Sequence, residues 1–133
     1  MEVMDKLILG FSVALTPGNL FYCFLGVFMG TLIGVLPGFG PTAGIAILIP
    51  ASLALPPTTA LIMLAGIYYG SMYGGSTTAI LINTPGEAAS IPTALDGYKM
   101  ARQGKAGPAL GMSAIASFIA GTFSVVGLMI LAP

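Results

Sequence analysis

Glycines and small polar side chains crowd one uncharged stretch near the middle of the chain, and these residue types are able to bind a ligand. Gly74 to Thr84 includes three consecutive hydroxyl residues and one asparagine, and the next charge is Glu87. Apolar sequence flanks the stretch on both sides. Polar, glycine-broken backbone at membrane depth is tolerated only where it is buried in protein or lines a cavity. The stretch therefore predicts a transporter binding site made of backbone and hydroxyl groups.

A second polar break, 37–41, contains two prolines and two glycines. Both this break and the polar segment 74–78 precede an apolar segment. Each break is therefore predicted to present the N-terminal amides of a helix. Such amides, with the positive end of the helix dipole, bind anions. Thr42 is predicted to cap the first helix, and the hydroxyls at 76–78 the second. The predicted substrate-binding residues are Gly38, Gly40, Thr42, Gly75, Ser76, Thr77 and Thr78.

Asn83 and Thr84 are predicted to hold a coupling ion, because carbonyl and hydroxyl oxygens suit hard cations such as Na+. Two helix termini alone are not expected to hold a multivalent anion, for energetic reasons. One helix terminus contributes about 0.3–1 kcal/mol, up to ~2 when partly buried, whereas desolvating a carboxylate costs several kcal/mol. No Lys or Arg lies between Leu7 and Tyr98. The remainder must come from a coupled cation (Na+ or H+), from retained water, or from chain beyond this sequence.

Another interpretation of the hydroxyl cluster stays open. Ser76, Thr77 and Thr78 are also expected to bond back to helix carbonyls, as such residues do in membrane helices. Glu87 is predicted to be structural, in the first turn of a short segment where the helix dipole favours an anion.

Charge is scarce throughout the chain, which is 56% hydrophobic and only 6% charged, against roughly 25% in soluble domains. No charge falls between Leu7 and Gly86 or after Lys105. At ~20 residues per span, such a run is a membrane region and not a soluble surface. Zero net charge without a basic block argues against nucleic acid as a partner. With Cys23 as the one cysteine and no histidine, no metal site of the usual zinc or haem type is expected.

These patterns predict an all-α polytopic membrane protein with broken or re-entrant helices. Residues 1–15 have the pattern of an amphipathic interfacial helix, and 20–96 form a broken-helix membrane region. Segment 97–107 is predicted to be a cytoplasmic loop, because it carries three basic residues and no acid after Asp96. Segment 108–131 is predicted to be a full transmembrane helix.

Two series of glycines recur at intervals of four and predict close helix packing. Packing is the expected role of the first three members of the first series. The series are Gly26, Gly30, Gly34 and Gly38, and Gly66, Gly70 and Gly74.

Four stretches carry a resemblance to a known family: 15–17, 30–40 with its Gly-Val-Leu-Pro-Gly-Phe-Gly motif, 61–87, and 95–104. Over essentially its whole length the chain resembles the N-terminal part of the large membrane subunit of the tripartite tricarboxylate transporters, the TctA-like permeases. The family's glycine-proline motif maps onto Gly30, Gly34, Pro37, Gly38 and Gly40.

The resemblance implies a multi-pass secondary carrier of the bacterial inner membrane that takes up carboxylates such as citrate by ion-coupled symport. It also implies two partners, a small membrane subunit and a periplasmic solute-binding protein that delivers the substrate. Family members are several times longer, so a fragment of a longer permease is expected.

Three other function classes are weighed against a carrier. A non-transporting structural membrane subunit would have apolar residues where the hydroxyl cluster stands, whereas broken helices suit a channel as well as a carrier. An intramembrane enzyme would need a buried acid, base or nucleophile pair. Only Glu87 and Asp96 are acidic near the membrane, and Cys23 has no basic partner. No enzyme activity and no cofactor are therefore expected.

Overall fold

The structure is a computed structural model that describes residues 2–131, with the side chains of residues 4–131. Six α-helices and one 3₁₀ turn make up this part of the chain, which contains no strand, so the all-α prediction is confirmed. The helices are α1 (Glu2–Ala14), α2 (Pro17–Gly34), α3 (Gly40–Ser52), α4 (Pro57–Ile82), α5 (Ile91–Arg102) and α6 (Ala106–Leu131), and the 3₁₀ turn is Ala88–Ser90.

Two of these helices, α2 with 18 residues and α6 with 26, are long and apolar enough to cross a bilayer by length and composition. Prolines fix where several helices begin, since they occupy one of the first two positions of α2, α3, α4 and α5. Proline is tolerated there because the first amides of a helix have no intrahelical acceptor to bond.

The core is the contact between α2 and α4, where the two glycine series face each other. A Cβ on Gly30 would collide with the backbone carbonyl of Ile67, and one on Gly70 with that of Val27. Gly66 and Gly74 are nearly as tight, with 2.7 Å to Cys23 O and 2.5 Å to Thr31 O. The predicted packing role is thus confirmed for the members within the helices, because only glycine permits such backbone-to-backbone contact.

Gly38 does not belong to this contact. It lies beyond the end of α2 with φ +82°, and a Cβ there would meet nothing within 4 Å. The series of glycines at intervals of four therefore has one more member in the sequence, Gly38, than in the packed contact.

Polar groups join α2 and α4 at their N-terminal ends. Thr59 Oγ1 donates to Asn19 Oδ1 at 2.7 Å, and Asn19 Nδ2 donates to the carbonyl of Val13 at 2.8 Å. Asn19 is buried, so these two bonds satisfy an amide that would otherwise be costly to bury.

The predicted helix break at 74–78 is wrong, because α4 runs unbroken from Pro57 to Ile82. Glycine inside a helix costs about 1 kcal/mol relative to alanine, but here Gly74 and Gly75 gain the close approach of neighbouring backbone. The chain breaks after α4 instead, where Asn83 takes the left-handed conformation with φ 56°.

The predicted end of a segment at Asp96–Gly97 is also wrong. Helix α5 continues through both residues to Arg102. Gly97 is a packing position, since a Cβ there would lie 2.7 Å from Cγ1 of Ile80 on α4. Residues 97–102 and 106–107 of the predicted loop are therefore helical.

Candidate functional site

Two breaks in the helical chain come together, and one of them, at 37–40, belongs to the pair that the sequence predicts. The other is the connection from Asn83 to Glu87, which folds back over the glycine face of α4. A Cβ on Gly86 would lie 2.7 Å from Gly75 Cα and 3.2 Å from Gly34 O. This contact places the Pro-Gly pair at 85–86 beside the end of α2.

The first Pro-Gly break, 37–40, reaches the same place. A Cβ built on Gly40 would lie 3.6 Å from Gly86 O and 3.7 Å from Glu87 Cβ. Gly40 itself has φ +53°, a conformation that glycine adopts without strain. The shared Pro-Gly dipeptide was the sequence signal for this juxtaposition, and it was too short to be used alone.

Helix α3 begins at this junction, and its first amides are the anion-binding feature that the sequence predicted. Thr42 does not cap it, because the N-cap is Phe39 and no side chain bonds the end of the helix. The predicted capping role of Thr42 is therefore wrong, and Thr42 is exposed. Uncapped amides need another acceptor, such as water or a ligand.

The hydroxyl cluster lies within α4 and does not present helix N-terminal amides, so the predicted capping by Ser76, Thr77 and Thr78 is wrong. Ser76 donates to Met72 O at 3.2 Å, Thr77 to Tyr73 O at 3.0 Å, and Thr78 to Gly74 O at 3.2 Å. The alternative interpretation is thus confirmed, because each hydroxyl donates its proton to a backbone carbonyl of its own helix. Their lone pairs remain available to a ligand.

Asn83 and Thr84, the predicted ligands of a coupling ion, are both exposed at the end of α4. Asn83 is the left-handed C-cap, a position at which asparagine is a common substitute for glycine. Thr84 Oγ1 donates to Ile82 O at 3.3 Å. Their role at an ion remains a prediction.

Sequence analysis did not identify a groove between α4 and α6, which we call the α4–α6 groove. It comprises two adjoining cavities of about 340 and 360 Å³, which share Met72, Ser117 and Ala120. Eleven further residues complete the wall of the groove: Tyr68, Tyr69, Tyr73, Ser76, Glu87, Ala89, Thr93, Ser113, Ala116, Gly121 and Ser124.

One face of α6 supplies three of the polar residues of this groove. Ser113, Ser117 and Ser124 are spaced by four and seven residues, so they project from the same side of the helix. This spacing is the sequence signal that would have found the groove. It is easily overlooked, because α6 reads first as an apolar span.

Glu87 is the one charged side chain that lines the α4–α6 groove. It lies in the connection between α4 and α5, outside the two candidate spanning helices, and is half-buried. Glu87 and Ser90 form a reciprocal capping box at the 3₁₀ turn, which confirms the predicted structural role. Burial raises the pKa of the Glu87 carboxyl above its ordinary value, because desolvation disfavours the charged form.

Comparison with known proteins agrees with a transport protein. The family model described as "Tripartite tricarboxylate transporter TctA family" matches residues 20–133. One similar curated protein is the "Uncharacterized 52.8 kDa protein in TAR-I ttuC' 3'region" of Agrobacterium vitis, which is 59% identical over 133 residues. The match covers 100% of this chain and 26% of that protein, so the chain spans about a quarter of this relative's length. No solved structure matches the chain.

Proposed function

Because the chain belongs to the tripartite tricarboxylate transporter TctA family, we propose that it forms part of the permease subunit of a carrier that takes up tricarboxylates or related carboxylates. The family match carries the transport function and the membrane location. The proposal adds a multi-pass arrangement in the bacterial inner membrane, ion coupling, and two partners. These partners are a small membrane subunit and a periplasmic binding protein that delivers the substrate.

The junction of the two Pro-Gly breaks is the proposed contact point for the substrate carboxylate. The uncapped start of α3 offers backbone amides there, and Gly38 and Gly40 keep the approach free of side chains. Discontinuous helices whose N-terminal ends face an anion are a recurring arrangement in secondary transporters. Gly75 lies under the same junction, since its nearest neighbours include Gly86.

The hydroxyls of α4 form the second part of the proposed substrate site. Ser76 and Thr77 are half-buried, and Thr78 is buried, one to three residues beyond Gly75. Each hydroxyl already donates within the helix, so only its oxygen lone pairs can contact a ligand directly. These oxygens can accept a hydrogen bond from a protonated carboxyl group, or they can coordinate a cation that accompanies the anion.

Uptake of radiolabelled citrate tests the proposal, with cells that express the complete protein and both partner subunits. We expect Thr77→Val to abolish uptake while the protein inserts normally, because valine keeps the shape and removes the oxygen. Thr122→Val is the matched control, since Thr122 also donates within its own helix, to Phe118 O at 2.8 Å, but lies away from the junction on α6.

Two results would contradict this proposal. Normal uptake by Thr77→Val would remove the hydroxyl cluster from the substrate site. Absence of uptake by the wild type, for citrate and for related carboxylates alike, would refute the function itself. A flux that never saturates with citrate concentration would indicate a channel instead of a carrier.

A further inference from the structure

The side chains of the α4–α6 groove offer only oxygen atoms as polar groups, which suits a positively charged ligand. Its wall contains one carboxylate, serine and threonine hydroxyls and three tyrosine phenols, and no Lys or Arg. Hard cations such as Ca²⁺ and Mg²⁺ are bound by sets of oxygen ligands of this kind. A carboxylate substrate would meet like charge at Glu87, so the groove selects against the anion.

Four hydroxyls of the groove are not committed to hydrogen bonds within the protein. Within residues 4–131, Thr93, Ser113, Ser117 and Ser124 donate to no other residue. By contrast, Ser76 in the groove and Thr122 on α6 donate to carbonyls of their own helices. The four uncommitted hydroxyls are therefore free to orient their lone pairs toward a bound ion.

Glu87 has no counter-ion in the part of the chain that the structure describes. The nearest basic residues along its own segment, Lys99 and Arg102, lie in the last turn of α5, about 12–17 Å of helical rise beyond Ile91. The Glu87 carboxylate accepts the backbone N–H of Ser90 in the capping box, and its remaining lone pairs are available to a cation.

We propose that the α4–α6 groove binds a small hard monovalent cation, with Glu87 as the anionic ligand and Thr93, Ser113 and Ser117 as hydroxyl ligands. This inference rests on the proposed function, for which it names the coupling-ion site. The cavity beside Glu87, of about 340 Å³, is much larger than a bare ion, so the ion retains part of its water shell. The proposed ligands lie in the connection after α4, on α5 and on α6, and neither Asn83 nor Thr84 lines the groove.

The binding of radiolabelled Na+ to the complete protein, purified in detergent without substrate, tests this site. We expect saturable binding by the wild type and a loss of affinity of at least about tenfold in Glu87→Gln. The double variant Ser113→Ala/Ser117→Ala should lose about two- to tenfold, because each removed oxygen is a neutral ligand. Asp5→Asn removes an exposed carboxylate on α1 that does not line the groove, so this control variant should bind as the wild type does.

A further variant separates the ligand role of Glu87 from its capping role. Ser90→Ala removes the hydroxyl half of the capping box, whereas the Glu87 carboxylate keeps its bond from the Ser90 backbone N–H, so this variant should retain Na+ binding. Size-exclusion profiles and melting temperatures without Na+ check that each variant is folded.

Three outcomes would overturn the cation site: no Na+ binding by the wild type, wild-type affinity in Glu87→Gln, or a loss in Asn83→Leu that Glu87→Gln does not show. Uptake of radiolabelled carboxylate by the complete system is measured in parallel. If the wild type takes up none while Na+ binding still depends on Glu87, the proposed function fails and the cation site stands. If uptake occurs without Na+ binding in the groove, only the cation site fails.

Discussion

One face of α4 packs against α2 through glycines, whereas another face borders the α4–α6 groove. At the α2–α4 contact, the two backbones touch over three turns and leave no space for even one methyl group. On the groove side, tyrosines, a serine and a methionine stand apart from α6 and leave two adjoining cavities. A single helix thus combines a closed contact, which fixes geometry, with an open polar surface that is available to ligands.

The contrast indicates that glycine and serine have different roles on the helix surfaces of this chain. The lipid hydrocarbon provides little hydrophobic driving force for helix association. Close van der Waals contact between small residues must therefore hold the helices together. Serine is also small, but its hydroxyl gives the α6 face a polar character that glycine lacks. The spacing of the two residue types therefore marks which helix faces pack and which remain open.

The largest expected effect is at the closed contact. Gly30→Ala places a Cβ against the carbonyl of Ile67, and no side-chain rotation relieves a clash between backbones. We expect a loss of about 3 kcal/mol or more, the upper range for overpacking, seen as a lower melting temperature and aggregation in detergent.

A matched glycine on α6 serves as the control for that variant. Gly111 lies in open space, so Gly111→Ala should stabilise the helix by roughly 0.5–1 kcal/mol. Equal melting temperatures for the two alanine variants would mean that the contact is not as tight as described.

An intermediate effect is expected where the 83–87 connection touches the α2–α4 contact. Gly86→Ala introduces a Cβ 2.7 Å from Gly75 Cα. The 83–87 connection must therefore shift away from α4 to relieve this clash. We expect a cost of about 1–3 kcal/mol together with loss of citrate uptake. Retained uptake at an unchanged melting temperature would show that the connection already has room to move.

The smallest expected effect is in the groove. Ser117→Ala removes a hydroxyl that has no partner within the described chain, so the melting temperature without Na+ should not change. The Na+ concentration that half-activates uptake should rise about two- to tenfold, since one neutral oxygen ligand is lost. A drop in stability instead would assign Ser117 to packing, like the glycines of α4.

Much of the fold was predictable because composition and spacing reflect strong physical constraints. The scarcity of charge predicts a membrane protein, and the intervals of four predict the glycine contact at Gly26, Gly30 and Gly34. The span at 108–131 corresponds to α6, and the segment at 1–15 to α1, although the interfacial position of α1 remains a prediction.

The misplaced helix ends share one cause, since a sequence does not distinguish a glycine that breaks a helix from one that lets another helix approach. The sequence predicts breaks at Gly74, Gly75 and Gly97, but tertiary contacts to α2, to the 83–87 connection and to Ile80 keep them helical. Pro85 with Gly86, by contrast, marks a real break. The meeting of the two Pro-Gly breaks depends on contacts between distant segments, which local patterns do not encode.

The tightness of the α2–α4 contact restricts how this part of the protein can change shape. Two helices that touch backbone to backbone, and that are joined at one end through Asn19 and Thr59, cannot slide or roll past each other without separating, so we expect them to move as one rigid block. Under the proposed carrier function, any displacement that exposes a bound solute in turn to the two sides of the membrane would then lie outside this block.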